Sequence, residues 1–161
     1  MQRLAFETRM VEWASKIEGL DADLLRQGLE ISNLHRQVEA RFEQDWSQWG
    51  LSAIQMRILM MLFHSKEIMT PALLAEEVSL SPSAMTSALD GLEKRDVLKR
   101  GPHAEDRRKV VVQLTTSGRV FVKERLPVLY RKICATTGCL SKHERDMFLR
   151  SYRKVLDQLQ G

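Results

Sequence analysis

At two places a hydroxyl-bearing residue precedes a proline, as Thr70-Pro71 and as Ser81-Pro82. These two pairs constrain the fold of this chain more than any other feature. A serine or threonine at a helix N-cap accepts a hydrogen bond from an otherwise unpaired backbone amide, and proline suits the first helical position because it has no amide hydrogen. The pairs therefore predict two short helices, roughly 71–78 and 82–95, with a tight turn at 79–80. Two short helices joined in this way form a helix-turn-helix unit.

A β-hairpin is predicted directly after these helices. A strand at 97–100 is followed by a charged tip that begins with a Gly-Pro pair, and then by a strand in which Val110, Val112 and Leu114 share one face. Apolar residues at alternate positions are typical of a strand with one buried face. A hairpin with so long a tip, placed after a helix-turn-helix, is interpreted as a wing.

Helical patterns also precede this region. Apolar residues recur at helical spacing from Met10 to Leu24 and from Leu24 to Trp46, with an interruption at Gly19 and a new start at Asp21. A Trp-Gly pair after the second pattern marks its end. So much apolar surface on two consecutive helices predicts that a second chain covers part of it.

The remaining helices begin at recognisable caps. In a capping box, a serine and a glutamate or glutamine three residues later each satisfy a backbone amide of the first turn. The predicted helix starts are Ser52 with Gln55, Thr115, and Ser141 with Glu144. Proline bends a helix that contains it, so we expect a bend at Pro127. The order of elements predicts a mainly α fold with a small β-hairpin wing, a winged helix-turn-helix with helices at both termini.

Composition narrows the possible functions. No apolar run approaches the roughly 18 residues that span a membrane, and the start of the chain lacks the apolar block of a signal peptide. Two cysteines, Cys134 and Cys139, are too few for a disulfide scaffold, so we expect a cytoplasmic protein with no membrane partner. The net charge of +4 and the isoelectric point of about 9.3 are compatible with a polyanionic partner.

Catalytic and metal-binding patterns are missing from the sequence. It contains no nucleophile–base arrangement, glycine-rich phosphate loop or paired carboxylates, so we expect no enzymatic activity and no cofactor. The four histidines are far apart and form no His-x-x-x-His pair, and the two cysteines form no Cys-x-x-Cys pair. No metal site is therefore expected.

Three segments of the chain resemble the MarR family of winged helix-turn-helix regulators. They are LSAIQMRILMML at 51–62, TPALLAEEVSLSPSAMTSALDGLEKRDVLKR at 70–100 and EDRRKVVVQLTTSGR at 105–119. Each segment is a weak signal, and their combination is specific. The resemblance implies a DNA-binding transcriptional regulator, a repressor that a ligand releases from its DNA.

The resemblance also implies a homodimer that places two winged units on one palindromic DNA site. It divides the chain into dimerisation helices at 1–50 and 116–161 and a DNA-binding region at 51–115, which together form one intertwined domain. The residues expected at the dimer interface are Leu24, Ile31, Phe148, Tyr152, Val155 and Leu159.

The second helix of the helix-turn-helix is the element that such proteins present to the major groove. Family members often carry arginine where this chain has Ser87 and Gly91, and a glycine where 95–96 stands. We therefore expect base recognition through hydroxyl groups, which can contact phosphates and base edges. The residues expected to do so are Ser81, Ser83, Thr86 and Ser87. The alternative is that these serines only cap and solvate an exposed helix start.

The wing tip is expected over the adjacent minor groove, where a narrow groove concentrates negative potential. Arg107 or Arg108 would enter the groove, with Arg107 favoured, while Asp106 orients the other arginine. Phosphate contacts are expected from Lys94, Arg100, His103 and Lys109. The alternative is a solvated tip whose ion pairs each contribute under about 1 kcal/mol.

A ligand cavity is implied between the dimerisation helices and the winged unit. An aromatic slot with cationic ends would suit a small aromatic carboxylate or phenolic effector. The residues predicted to form it are His35, Trp46, Trp49, Arg57 and Met60.

Two alternative functions remain open. One is a winged-helix module that binds a protein partner instead of DNA. The other is a redox-responsive regulator that uses Cys134 and Cys139, although burial of both cysteines as structural residues is favoured.

Overall fold

The computed structural model describes residues 2–103, 106 and 109–160, and the side chains among them from residue 5 to residue 159. Over these residues the chain forms seven helices and one two-stranded hairpin. The helices are α1 Gln2–Ala14, α2 Ala22–Gln48, α3 Ala53–His64, α4 Pro71–Glu77, α5 Pro82–Glu93, α6 Thr116–Gly138 and α7 Lys142–Gln160, and the strands are β1 Leu98–Pro102 and β2 Val110–Leu114. The chain divides within α3 into two compact units, Met1–Met56 and Arg57–Gly161.

The first unit contains the helical pair of α1 and α2. Gly19 interrupts the helical pattern at φ +77°, and the Asp21 side chain accepts a hydrogen bond from the backbone N–H of Leu24 at 2.9 Å, which begins α2 as predicted. Gly50 follows the end of α2 at φ +66°. The apolar residues of the predicted seam lie on the surface of the chain, with Trp13 67% and Leu24 66% exposed.

The helix-turn-helix lies in the second unit and begins its helices at the predicted caps. The Thr70 hydroxyl accepts the backbone N–H of Leu73 at 3.2 Å, and the Ser81 hydroxyl accepts that of Ala84 at 3.3 Å. Ser79, in the turn between the helices, has φ +54°. The helix starts are therefore confirmed, and the helix ends fall one or two residues earlier than the sequence predicts.

The wing is defined here as β1, β2 and the tip at 103–109 between them. The strands pair antiparallel, with Leu98 opposite Leu114, and the backbone N–H of Val112 donates to the carbonyl of Met69 at 2.8 Å. The expectation of one buried face is only partly right. Val110 is 45% exposed because it leads out to the tip, whereas Val111 is buried because β2 contacts both α4 and α6.

The core of the second unit is built from every element between α3 and α6. Its largest fully buried side chains are Ile58, Leu59, Leu74, Met85, Leu89, Leu92, Leu98, Val112 and Val122. Burial of one such side chain stabilises the fold by roughly 1.5–3 kcal/mol. The core therefore ties α5, the wing and α6 into one body.

Both predicted capping boxes are confirmed. Ser52 and Gln55 exchange hydrogen bonds of 3.1 and 3.2 Å between backbone amides and side chains, and Ser141 and Glu144 do so at 2.8 and 3.3 Å. Hydrogen bonding from Ser141 lowers the pKa of the Glu144 carboxyl. Thr115 caps α6, which continues through Pro127 as one helix.

The start of α6 packs directly on the backbone that follows α5. A Cβ atom added at Gly118 would lie 1.7 Å from the carbonyl oxygen of Val97. No side chain can occupy that space without moving backbone, so glycine is required for the close approach of α6.

Alanine at Gly118 is expected to lower the free energy of unfolding by more than about 3 kcal/mol. Overpacking a core costs roughly 1–3 kcal/mol where side chains can yield, and here the new atom meets backbone. Gly28→Ala is the matched control, because Gly28 lies inside α2 with no atom within 4 Å of the added Cβ. That change should raise the free energy of unfolding by roughly 0.5–1 kcal/mol. Urea unfolding followed by circular dichroism measures both, and similar values for the two variants would contradict the packing argument.

Candidate nucleic-acid interface

Helix α5 has two chemically different faces. Its buried face consists of Met85, Leu89 and Leu92, all exposed by 1% or less. Ser83, Thr86 and Ser87 are exposed, and the spacing of three and four residues places them on one face. Because the apolar face is fixed in the core, the hydroxyl face points outward.

The hydroxyl groups at the start of α5 differ in their local partners. Ser81 caps the helix, and its oxygen lies 3.2 Å from that of Ser83. The Thr86 hydroxyl donates to the carbonyl of Pro82 at 2.9 Å. Its oxygen keeps acceptor capacity, and its methyl group suits contact with a thymine methyl. These positions meet the geometric requirement for base reading, which stays a prediction.

Two backbone hydrogen bonds close the wing tip. His103 N–H donates to the carbonyl of Lys109 at 2.8 Å, and Lys109 N–H donates to that of Asp106 at 2.9 Å. Arg107 and Arg108 lie outside the described residues, so the minor-groove insertion remains a prediction, as does orientation by Asp106. Lys94 and Lys109 are exposed, as phosphate contacts would be.

Arg100 makes a different set of contacts from the one that the sequence suggests. Its Nε donates to Glu93 Oε2 at 2.9 Å, and its Nη2 lies 2.5 Å from both Glu93 Oε2 and Asp90 Oδ1. The Arg100 backbone N–H also donates to Glu93 Oε1 at 2.9 Å. We call these three residues the Arg100 clamp.

The clamp is partly screened from solvent. The Arg100 side chain is 28% exposed, against 37% for Glu93 and 45% for Asp90. Hydrogen bonds from the Arg100 side chain and backbone lower the pKa of Glu93, and hydrogen bonds to Glu93 and Asp90 raise the pKa of Arg100. A guanidinium held by two carboxylates belongs to a group of net negative charge, which does not attract a phosphate.

The sequence reasoning missed Asp90 and Glu93, although a signal was available. Two acids in the last turns of a helix are unfavourable, because the C-terminal end of the helix dipole is negative. Such a pair predicts a neighbouring cation, and the arginine of the following strand supplies it.

Asp96 forms the turn between α5 and β1. It has φ +54°, a conformation that favours glycine, and the hydroxyls of Thr115 and Ser117 both donate to its carbonyl at 2.6 Å. The Asp96 Oδ2 atom lies 3.0 Å from the same Ser117 oxygen, so the single hydroxyl hydrogen of Ser117 is shared between the two acceptors of Asp96. The left-handed backbone explains why a glycine near this position suits the family pattern, and the two hydroxyls hold aspartate in its place.

The predicted ligand residues are divided between the two units. In the first, the rings of Trp46 and Trp49 meet edge to face at 5.8 Å, and the exposed His35 side chain places Nε2 3.4 Å from Oε1 of Glu39. In the second, the Arg57 guanidinium donates to the carbonyl of Glu77 at 3.2 Å. The aromatic pair is therefore present, and the slot as a whole remains a prediction.

A cavity of about 560 Å³ lies between α1 and α2, and it contains none of the five predicted ligand residues. Its lining consists of Glu7, Thr8, Val11, Glu12, Ser15, Arg26, Leu29, Glu30 and Asn33. Three glutamates disfavour a carboxylate ligand in this cavity by like-charge repulsion.

All six residues predicted at the dimer interface are exposed in the single chain, from 38% for Tyr152 to 80% for Leu159. On α7, the rings of Phe148 and Tyr152 stack with centroids 5.7 Å apart. The charges of the terminal regions are opposite, since residues 1–50 carry six basic and nine acidic side chains and residues 116–161 carry ten and four.

The cysteine expectation needs a correction. Cys134 and Cys139 are both exposed in the single chain, because they lie on the outer surface of α6 and at its end, so the favoured burial is wrong there. In the part of the chain that the structure describes, no group of three or more His, Cys, Asp or Glu side chains is arranged to hold a metal ion. None of the helices described is long and apolar enough to cross a membrane.

Comparisons with known proteins find similarities in sequence and in fold. Residues 51–110 match the model of the MarR family. The HTH-type transcriptional repressor YetL of Bacillus subtilis is 30% identical over 151 residues, which cover 93% of this chain and 90% of YetL.

Two solved structures share the fold. The MepR–DNA complex of Staphylococcus aureus aligns with a TM-score of 0.71 at 22% identity, covering 79% of this chain and 96% of MepR. A mutant MarR of Escherichia coli, complexed with operator DNA, aligns with a TM-score of 0.69 at 24% identity, covering 83% and 96%. The predicted winged helix-turn-helix fold is therefore confirmed.

The lowered pKa of Glu93 predicts how the clamp responds to acid. A carboxyl whose pKa is lowered by folding stabilises the native state above its ordinary pKa of roughly 4.3, and this stabilisation is lost as the pH falls through the folded value. Glu93→Gln should therefore lower the free energy of unfolding at about pH 6.5 and have a smaller effect at about pH 3.5. Urea unfolding at both pH values measures this, with Glu76→Gln, an exposed change on α4, as the control. An effect of Glu93→Gln that did not depend on pH would contradict the prediction.

Proposed function

The chain belongs to the MarR family of transcriptional regulators, and from that premise we propose that it is a homodimeric repressor of a palindromic operator. It is a DNA-binding regulator and not an enzyme. A protein that binds an operator works where the chromosome is, so we expect a cytoplasmic location. A small aromatic carboxylate or phenol is the proposed effector.

One observation carries the DNA-binding part of the proposal. The hydroxyl face of α5 is exposed along Ser83, Thr86 and Ser87, while its opposite face is fixed in the core beside the wing. A helix whose apolar face is fixed in the core and whose exposed face carries small polar side chains can approach base edges closely. Because this face carries no arginine fork, phosphate contacts and the wing would supply much of the affinity.

Exposed apolar surface at both ends of the chain supports the homodimer. Leu24 is 66% exposed, Phe148 60% and Leu159 80%, and large apolar patches on a soluble protein mark interaction sites. The acidic balance of residues 1–50 and the basic balance of residues 116–161 favour pairing of these regions between two copies. Two-fold symmetry of such a dimer would match a palindromic site.

The effector proposal rests on the Trp46–Trp49 pair as an aromatic contact, and on the expectation that Arg57 would serve as the partner for a carboxylate or phenolate. The two winged units can adopt one arrangement that contacts the operator and another that does not. To act, the effector must bind more tightly to the arrangement that does not contact the operator. Its release of DNA then follows from this difference in affinity alone.

Fluorescence anisotropy of the purified protein on the DNA upstream of its own gene tests the proposal. We expect tight binding with a steep salt dependence, and the variant Arg107→Ala with Arg108→Ala should lose this binding because the minor-groove contact of the wing disappears. The control is Lys66→Ala with Lys123→Ala, which removes equal charge from exposed positions outside α5 and the wing. Titration of the complex with benzoate or 4-hydroxybenzoate should lower the anisotropy.

Weak binding that ignores the DNA sequence and survives the wing change would contradict the repressor proposal and favour the protein-binding module. Operator binding that neither aromatic acid weakens would agree with the repressor proposal and would overturn the proposed effector class.

Sedimentation equilibrium tests the homodimer separately. Phe148→Asp is expected to convert the dimer to a monomer at micromolar concentration, because it places a charge in a desolvated interface. His143→Asp introduces an acidic side chain at an exposed position of α7 that lies away from the face shared by Phe148 and Tyr152, and it should leave the dimer intact. A wild-type chain that sediments as a monomer, or equal effects of the two changes, would contradict the proposed interface.

A further inference from the structure

The wing is attached to the rest of the second unit at two places. Its base is held by the core, where Leu98 and Val112 are each 1% exposed and Val112 donates to the carbonyl of Met69. Further out along β1, Arg100 is held by Asp90 and Glu93 of α5 through its guanidinium and through its backbone N–H. Of the described contacts between α5 and the wing, these hydrogen bonds lie nearest the tip.

We infer that Arg100 is a positioning residue that locks the wing to α5, so that both DNA-reading elements reach the duplex as one rigid body. This inference rests on the proposed function, since it concerns the same DNA-binding surface. It replaces the expectation that Arg100 contacts a phosphate.

The geometry of the clamp makes it more than an incidental surface ion pair. Isolated surface pairs contribute little because two flexible side chains lose freedom for one screened contact. Here Glu93 receives both the guanidinium and the backbone N–H of Arg100, so the carboxylate fixes the strand itself as well as the side chain. Asp90, one turn earlier on α5, fixes the other side of the guanidinium. Three residues on two elements therefore define one relative orientation.

The consequence for DNA binding is a gain in preorganisation. A wing that moved independently of α5 would lose conformational freedom when the complex forms, and the affinity would fall accordingly. Because the clamp carries a net negative charge and displaces no counterion from DNA, its removal should leave the number of neutralised phosphates unchanged. Affinity and salt dependence thus separate the positioning role from direct phosphate binding.

Operator binding by Arg100→Met, measured at several salt concentrations, tests the inference. We expect an affinity about tenfold weaker than that of wild type, with the same slope of log K against log salt. If Arg100 instead bound a phosphate, the slope would become less steep by about 0.9 for each phosphate that the variant no longer neutralises. Lys99→Met is the matched control, because it removes an exposed charge from the neighbouring position of β1. It should not change the mobility of the wing.

Glu93→Gln gives an independent test, because the positioning role and simple electrostatics predict opposite changes in DNA affinity. Removing a negative charge from a DNA-binding unit strengthens DNA binding if charge alone matters. The positioning role predicts weaker binding, and it predicts that Arg100→Met with Glu93→Gln binds no more weakly than Arg100→Met alone, because both changes break one clamp. Tighter binding by Glu93→Gln, or an additive weakening in the double variant, would overturn the inference.

Hydrogen exchange of the free protein provides a readout without DNA. The backbone amides of Arg100, His103 and Lys109 should exchange faster in Arg100→Met than in wild type, while core amides of α5 keep their rates. Unchanged exchange in the wing would overturn the positioning role. Failure of wild type to bind operator DNA would instead remove the proposed function, and the exchange result would still report on the clamp.

Discussion

The burial of one face of α5 is the interaction on which the rest of the DNA-binding unit depends. Met85, Leu89 and Leu92 are removed from water almost completely, and this fixes the rotation of the helix about its own axis. Once the rotation is fixed, Ser83 and Thr86 must face outward. The position of the hydroxyl face is therefore a by-product of apolar packing on the other side of the same helix.

Close packing extends this constraint from α5 to its neighbours. The backbone turns back after α5 through Asp96, and α6 begins against that turn because Gly118 leaves room for the Val97 carbonyl. The wing is attached at its base by apolar burial and further out by Arg100. Packing alone would fix only the base of the hairpin, so the ion-pair network extends the rigid part of the molecule toward the tip.

The helices at the two ends of the chain differ from α5 and the wing in the exposure of their apolar side chains. Their apolar side chains, such as Trp13 and Phe148, remain on the surface of the single chain, and most of their polar contacts are local pairs within one helix. Apolar burial dominates folding and association, so a surface of this kind favours a partner that covers it. In the proposed homodimer a second copy would provide this cover, and the opposite charges of the two terminal regions favour their pairing between copies.

The sequence by itself determined where the helices begin, because a cap is a local interaction between a hydroxyl and an amide three residues away, as at Ser81 and Ser141. It also determined the helix-turn-helix and the wing, since both follow from capping and turn residues and from apolar residues at alternate positions. Only the tertiary structure decided that Arg100 would meet Asp90 and Glu93, because residues seven to ten positions apart on different elements become neighbours only through folding. The burial of Val111 was decided in the same way, because it depends on the helices that cover β2 and not on the alternation of the strand.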